Sequence, residues 1–285
     1  MKQNYYSFGQ LFLLILFFMA YASLSNAQQR VEAADIVKAL KDGQDVSYEN
    51  ATIVGIMDMT PYDEEIESLP KKRGYNGKEI ENRIRGDVSF INCTFVDHVY
   101  AYFNDKNISH TKGNSKYTFI THFRGNVKFE DCTFEKRAWF KYSDFGENAI
   151  FTGTTFNGSS TFKYAEFADN AMFTGATFNG SSTFKYADFP ENADFSRTTF
   201  DDDNSFKYAE FREHVSFSET RFNRDATFKY TKFKDGVSFN NAFFEDDLDF
   251  KYTEIKGDFD DQNMVVNGEA NTKYMKVKGK KFSHW

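Results

Sequence analysis

The chain has 285 residues, with 42 acidic against 35 basic side chains, a formal net charge of −7, 35 Phe, 3 Pro and 2 Cys. An acidic chain with no clustered Lys/Arg surface is not built to bind nucleic acid through a basic face. Two cysteines do not make a disulfide-stapled scaffold, so a chain this long must hold itself together with a hydrophobic core.

At the N-terminus, Lys2 precedes the apolar run Leu11-Phe12-Leu13-Leu14-Ile15-Leu16-Phe17-Phe18-Met19-Ala20. Ser25-Asn26-Ala27 then places small residues at the two positions that a signal peptidase recognises. This predicts a cleaved signal peptide over residues 1–27, a mature chain starting at or near Gln28, and export to the periplasm or the extracellular space. The run is short of the roughly 20 apolar residues that span a bilayer, so no integral membrane segment is expected after cleavage. Removing residues 1–27 takes away one Lys and no acid, moving the formal charge from −7 to −8.

Residues 28–85 are expected to form an N-terminal cap. Val31 to Leu40 has helical periodicity, with Gly43 as a stop. Val46 to Val54 is strand-like and suits a first, irregular coil, while residues 62–85, charged and carrying Gly74 and Gly77, suggest a loop. A helix here would cover an end that otherwise offers open strand edges for self-association.

From residue 86 the chain keeps strict time. Phe-Lys-Tyr recurs at Phe140, Phe162, Phe184, Phe206, Phe228 and Phe250 with an unbroken 22-residue period. Within each unit, the steps from Phe129 through Phe134, Phe140, Phe145 and Phe151 to Phe156 alternate between five and six, and the beat continues to Ile255. Such spacing scatters around a helix and alternates faces along one strand, which excludes both. The chain must instead turn a corner after every Phe, giving four sides to a 22-residue coil. Small residues two positions earlier, among them Ala149, Thr154, Ala165, Ala171, Ala176, Ala187, Val215 and Val237, let the walls close on a narrow axis. Stretches such as AEFADNAMFTGATFNGSSTF resemble the pentapeptide-repeat family in its Phe-centred variety, over roughly residues 86–256. The plain family pattern keeps fives throughout, so the extra residue on alternate sides is a departure. The resemblance implies an all-β fold, a right-handed four-sided parallel β-helix with 22-residue coils, to which the sequence adds a short N-terminal capping helix. Some members of the family imitate DNA and inhibit or protect gyrase; a secreted chain carrying a Lys ladder fits that role poorly.

Cys93 and Cys132 both occupy the small inward position, in INCTF and EDCTF. If residues 99–122 leave the solenoid as an excursion, the two stack on successive coils, either as buried free thiols or as a disulfide. Beyond Lys256 the beat is lost, and residues 257–285 suggest a basic C-terminal cap or tail in which Tyr274-Met275-Lys276-Val277 supplies a last strand.

The chain offers little for chemistry. His98, His110, His122, His214 and His284 share no metal-ligand spacing, no Ser or Cys sits in a nucleophile-elbow context, and the acidic clusters lack a calcium-loop pattern. No enzyme, cofactor or metal is expected. The best functional lead is the outward ladder of Tyr142, Tyr164, Tyr186, Tyr208, Tyr230 and Tyr252 beside Lys141, Lys163, Lys185, Lys207, Lys229 and Lys251. Stacked rings with adjacent hydrogen-bonding groups would hold an extended protein or glycan partner, or simply rigidify one wall. The expected function is therefore a non-catalytic exported scaffold, with a purely structural solenoid as the alternative. Thr155, Thr177 and Thr199, near Thr152 and Thr174, add a third and weaker option, an ice-binding surface.

Overall fold

The computed structural model describes residues 28–61, 78–104 and 117–283. The signal-peptide expectation lies outside these residues, as does most of the loop expected over 62–85. Four parallel sheets of 9 to 11 strands form the walls of a solenoid, with successive strands of each sheet coming from successive coils. One coil runs Ala149–Ile150 on wall 1, Thr155–Phe156 on wall 2, Ser160–Thr161 on wall 3 and Glu166–Phe167 on wall 4. Residues one period apart pair in register, as in Ala149 with Ala171, Thr155 with Thr177 and Ser160 with Ser182. The coil length and the four sides follow the sequence reading.

The register explains the composition. Every central Phe from Phe123 to Phe244 on the beat is buried, as are the small or modest residues two positions before. Along the axis the rings lie nearly parallel: Phe162, Phe184 and Phe206 have centroids 5.0 and 4.9 Å apart and planes within 5°. Across the axis, Phe184 meets Phe173 and Phe195 edge-on, at 5.2 and 5.3 Å with planes at 85° and 87°. The rings from Phe140 to Phe239 thus have both stacked and T-shaped neighbours, each contact contributing about 0.5–1.5 kcal/mol beyond burial. The buried threonines are satisfied too. Thr198, Thr220 and Thr231 donate to the carbonyls of Phe173, Phe195 and Phe206 on the coil below, each at 2.8 Å.

The two spacings correspond to two kinds of corner. Five-residue intervals contain a tight turn in which the N–H of the small inward residue closes on the preceding Phe carbonyl, as Ala165 does to Phe162 and Ala176 to Phe173, both at 3.0 Å. The third residue of that turn has positive φ, as a type II turn requires. The six-residue intervals turn more openly, with their amides bonded to neighbouring coils; Gly146 N–H reaches the Phe123 carbonyl at 2.8 Å.

The helix occupies Ala33–Lys41, preceded by a strand at Gln29–Glu32 that pairs with Ala51–Val54. Its Ala33, Ile36 and Leu40 are buried in the end of the core, and Gly43 follows at φ +77°. The first two coils are longer than the rest, and wall 4 there carries seven-residue strands, Lys78–Ile84 paired with Tyr117–Phe123. Tyr102–Asn104 folds back antiparallel on Tyr117–Phe123; the excursion expected over 99–122 is narrower than that, because Val99–Tyr100 stays in register on wall 3 and Tyr117–Phe123 on wall 4. At the other end the ladders run on past Lys256. Val265–Val266 and Ala270–Asn271 extend two walls, and Lys276–Val277 continues a third before turning back on Lys280–Lys281. Phe282 then packs on Phe259 at 5.7 Å.

With the excursion removed from the count, Cys93 and Cys132 stack on successive coils, since Thr94 pairs with Thr133. Both are free and 1% exposed. The Cys93 thiol donates to Ile91 O at 3.3 Å and Cys132 to Phe90 O at 3.4 Å. Its hydrogen bond with Cys93, with burial added, pushes the Cys132 thiol well above its ordinary range.

Two outcomes follow from this core. Phe184→Ala removes a ring from the middle of one stack, together with its edge-on contacts to the others, and is expected to cost about 3–5 kcal/mol, read from urea denaturation. The two cysteines should resist a thiol reagent such as dithionitrobenzoate in the native protein and release two equivalents on unfolding; release from folded protein would contradict their burial.

Candidate binding surfaces

The Tyr-Lys ladder lies at a corner, between wall 3 and wall 4, and not on a flat wall. Each Tyr is the third residue of the tight turn, with φ of 61° at Tyr142, 59° at Tyr164, 60° at Tyr186, 63° at Tyr208, and 62° at Tyr230 and Tyr252. An L-residue with a bulky side chain pays roughly 1 kcal/mol or more to sit there. The equivalent turn between walls 1 and 2 shows what the backbone alone prefers: Asn50, Asn92, Asp131, Gly153 and Gly175, then Arg197, Glu219, Asn241 and Asn263. One corner therefore drifts among residues that mostly tolerate positive φ, while the other holds Tyr in every coil from Tyr142 to Tyr274.

The side chain supplies the reason. The Tyr rings stack face to face at centroid distances of 4.9, 4.7, 4.7, 4.8 and 4.8 Å from Tyr142 through Tyr252, with planes within 12°. Tyr274 extends the stack at 4.7 Å, and Tyr102 lies under its first ring at 5.8 Å. Ring faces are thereby consumed, so the ridge presents ring edges and hydroxyls; Tyr186 stays 42% exposed. Lysine ammonium groups lean over the rings, Lys141 at 4.6 Å from Tyr142, Lys163 at 4.9 Å from Tyr164, Lys207 at 5.1 Å from Tyr208, and Lys229 and Lys251 at 5.5 Å from Tyr230 and Tyr252. Burial holds the Lys141 amine below its usual range and pushes the Tyr102 phenol up to about 12. Burial also raises Tyr142 and Tyr186, so these phenols stay neutral donors.

Beside the ridge, wall 4 carries Asp144, Glu166, Asp188, Glu210, Lys232 and Glu254 in register. Arg212 bridges to Asp188 at 2.6 Å, and Lys234 pairs with Glu210, whose carboxyl it holds below the usual range. The Thr ladder on wall 2 is longer than the sequence suggested: Thr52, Thr94, Thr133, Thr155, Thr177 and Thr199 stand in register before Arg221 and Phe243 end it. Among the described residues no group of three His, Cys, Asp or Glu side chains is arranged to hold a metal, and no helix is long and apolar enough to cross a membrane.

A further surface escaped the sequence reading. Wall 3 carries an open groove of about 810 Å³ running from Trp139 past Thr161 and Thr183 to Asn271. Its signal was present as the residue before each Phe-Lys-Tyr, Trp139, Thr161, Thr183, Ser205, Thr227 and Asp249, which the recurrence of the motif itself overshadowed.

In-register coils, four short-stranded walls and a small-x-Phe interior define a four-sided parallel β-solenoid. The model for pentapeptide repeats (9 copies) matches residues 121–166, 162–210 and 206–254, and this region belongs to the pentapeptide-repeat family. The comparison with curated proteins returns no match, and neither does that with solved structures.

Opposed strain and stacking at the ridge give a direct test. Tyr186→Gly and Tyr186→Ala lose the same ring contacts, but only Ala keeps a Cβ at positive φ. The Gly protein should therefore be more stable than the Ala protein by about 1 kcal/mol in chemical denaturation.

Proposed function

We propose that this protein is a non-catalytic, exported scaffold that presents its Tyr-Lys ridge to an extended partner. The observation that carries the proposal is the contrast between the two tight corners. Tyr is held at positive φ in seven consecutive coils, where the opposite corner takes Gly, Asn, Asp, Arg or Glu. Ring stacking offsets the backbone cost, yet stacking alone would not require a Lys before every one of those rings. The result is a row of phenol hydroxyls and ammonium groups repeating at about one strand spacing, 4.8 Å. Such a row suits a partner that is itself extended, because each coil contributes a small contact and the contacts add along the axis. Export rests on the character of residues 1–27.

The test is a triple replacement, Tyr164, Tyr186 and Tyr208 each to Ser, compared with wild type in a pull-down from envelope and culture fractions and on a glycan array. A binding ridge loses its partner while circular dichroism still reports a folded solenoid. A purely structural ridge loses stability and no ligand.

A further inference from the structure

The groove on wall 3 has its own chemistry. Its floor is one in-register ladder from Trp139 through Thr161, Thr183, Ser205 and Thr227 to Asn271. Trp139 to Asn271 spans six coil spacings, about 29 Å at 4.8 Å each. Between Trp139 and Asp249 every floor residue is a hydroxyl, and each hydroxyl oxygen accepts the backbone N–H of the Lys two positions on: Lys163 and Lys185 at 3.3 Å, Lys207 and Lys229 at 3.4 Å. That bond fixes the side chain and leaves the hydroxyl proton to donate to a ligand. The row is thus an array of pre-oriented donors, whose ordering cost is met in folding and not in binding.

The rims differ. On one side the Lys ladder follows the floor, and Lys185 lines the groove. On the other stand Asp203, Asp225, Asp247 and Glu269. One oxygen of Asp247 accepts the Glu269 N–H at 2.8 Å and one of Asp225 the Asp247 N–H at 3.3 Å, which sets those carboxylates along the rim with a second oxygen each for an outside donor. The Trp139 indole stands at the N-terminal end, 5.1 Å from Tyr100 and with the Arg137 guanidinium 5.3 Å away.

We propose that this groove binds a neutral linear polysaccharide, on a wall beside the Tyr-Lys ridge and independently of the ring stack there. Three features select the occupant. An extended peptide docks on sheets by pairing its main chain with unpaired strand groups, but on this wall backbone amides already bond coil to coil, as Ser160 to Ser181, Phe162 to Thr183 and Phe184 to Ser205. A row of rim carboxylates repels a polyanionic glycan. Fixed hydroxyl donors, carboxylate acceptors and an indole at one end match a polyol, which offers oxygen acceptors, hydroxyl donors and apolar ring faces in repeat.

The chain has two tryptophans, Trp139 and Trp285, so a Trp285→Phe protein reports on the groove through Trp139 fluorescence. This protein is titrated with cellohexaose, chitohexaose and maltohexaose, and with hexagalacturonate and hexalysine as acidic and basic controls. A saturable change in emission is expected with at least one neutral hexasaccharide and with neither control. Thr183→Tyr with Ser205→Tyr, which fills the floor, should weaken that binding at least tenfold. Thr183→Val with Thr227→Val, which keeps shape and removes donors, should weaken it severalfold, and serves if the larger replacements disturb folding. The Tyr164, Tyr186 and Tyr208 to Ser protein should bind the sugar as wild type does. No saturable change with any neutral hexasaccharide overturns the proposal, as does equal or tighter binding of either control. Binding that survives both floor variants but is lost in the triple Tyr protein also overturns it, while leaving the ridge as the binding surface.

Discussion

The structure depends on one constraint: the backbone of each coil hydrogen-bonds to the coils on either side, in register. Strands this short cannot hold a sheet by themselves, so each is stable only because a neighbour one coil away repeats it. In-register stacking places every side chain beside its counterpart one coil away, and residue types that favour their own kind are the ones that survive. Phe on Phe and Tyr on Tyr are such types. Asn is another, since an amide is both donor and acceptor: Asn148, Asn170 and Asn192 each pass Nδ2 to the Oδ1 of the preceding member, at 2.9, 2.7 and 3.1 Å.

Carboxylates are the types that stacking penalises, and the structure shows how they are accommodated. Asp144, Glu166, Asp188 and Glu210 repel one another at roughly one strand spacing, about 1 kcal/mol per neighbour at the dielectric of water and less in salt. Arg212 and Lys234 reach back to Asp188 and Glu210, and Lys232 takes the next place in the ladder. On the wall 3 rim the relief is different, because acids accept backbone N–H groups from the coil above. A chain with 42 acids therefore stays compatible with a parallel stack.

The core was legible because inward positions repeat with little freedom: only Phe beside a small residue fills the axis, and its alternating spacing announces four walls. The corners were less legible. Nothing in the spelling Phe-Lys-Tyr says that Tyr has positive φ, since such positions ordinarily call for Gly or Asn, and the φ becomes intelligible only once the rings are seen to stack. The long wall 4 strands at Lys78–Ile84 and Tyr117–Phe123 escaped because they sit in stretches where the beat is suspended and charged residues suggest loops. Lys78 finds its partner only at Tyr117, a separation unlike the period of the regular coils and one that no local pattern signals. The groove escaped for a third reason. Its floor is built of Thr and Ser, which are ordinary outward residues on a strand, and only three-dimensional register separates a lined trough from a scatter of hydroxyls.

Where stacking enforces likeness, a change of identity along a ladder marks a place where something other than self-packing has a say. Wall 3 changes from Trp139 to Thr161, and wall 2 from Thr199 to Arg221, whose guanidinium lies 4.6 Å over Phe243. Each change costs the benefit of like on like at one interface. Near an end of the solenoid such changes are expected, because the capping helix at one end and Phe282 at the other alter the neighbours. The Trp139 step falls inside the regular coils, on a wall whose backbone pairing continues unbroken across it. The indole packs on Tyr100 of the coil below, 5.1 Å away, with the Arg137 guanidinium 5.3 Å from its ring, so Trp139 is where the aromatic stretch of this ladder ends and its hydroxyl-lined stretch begins.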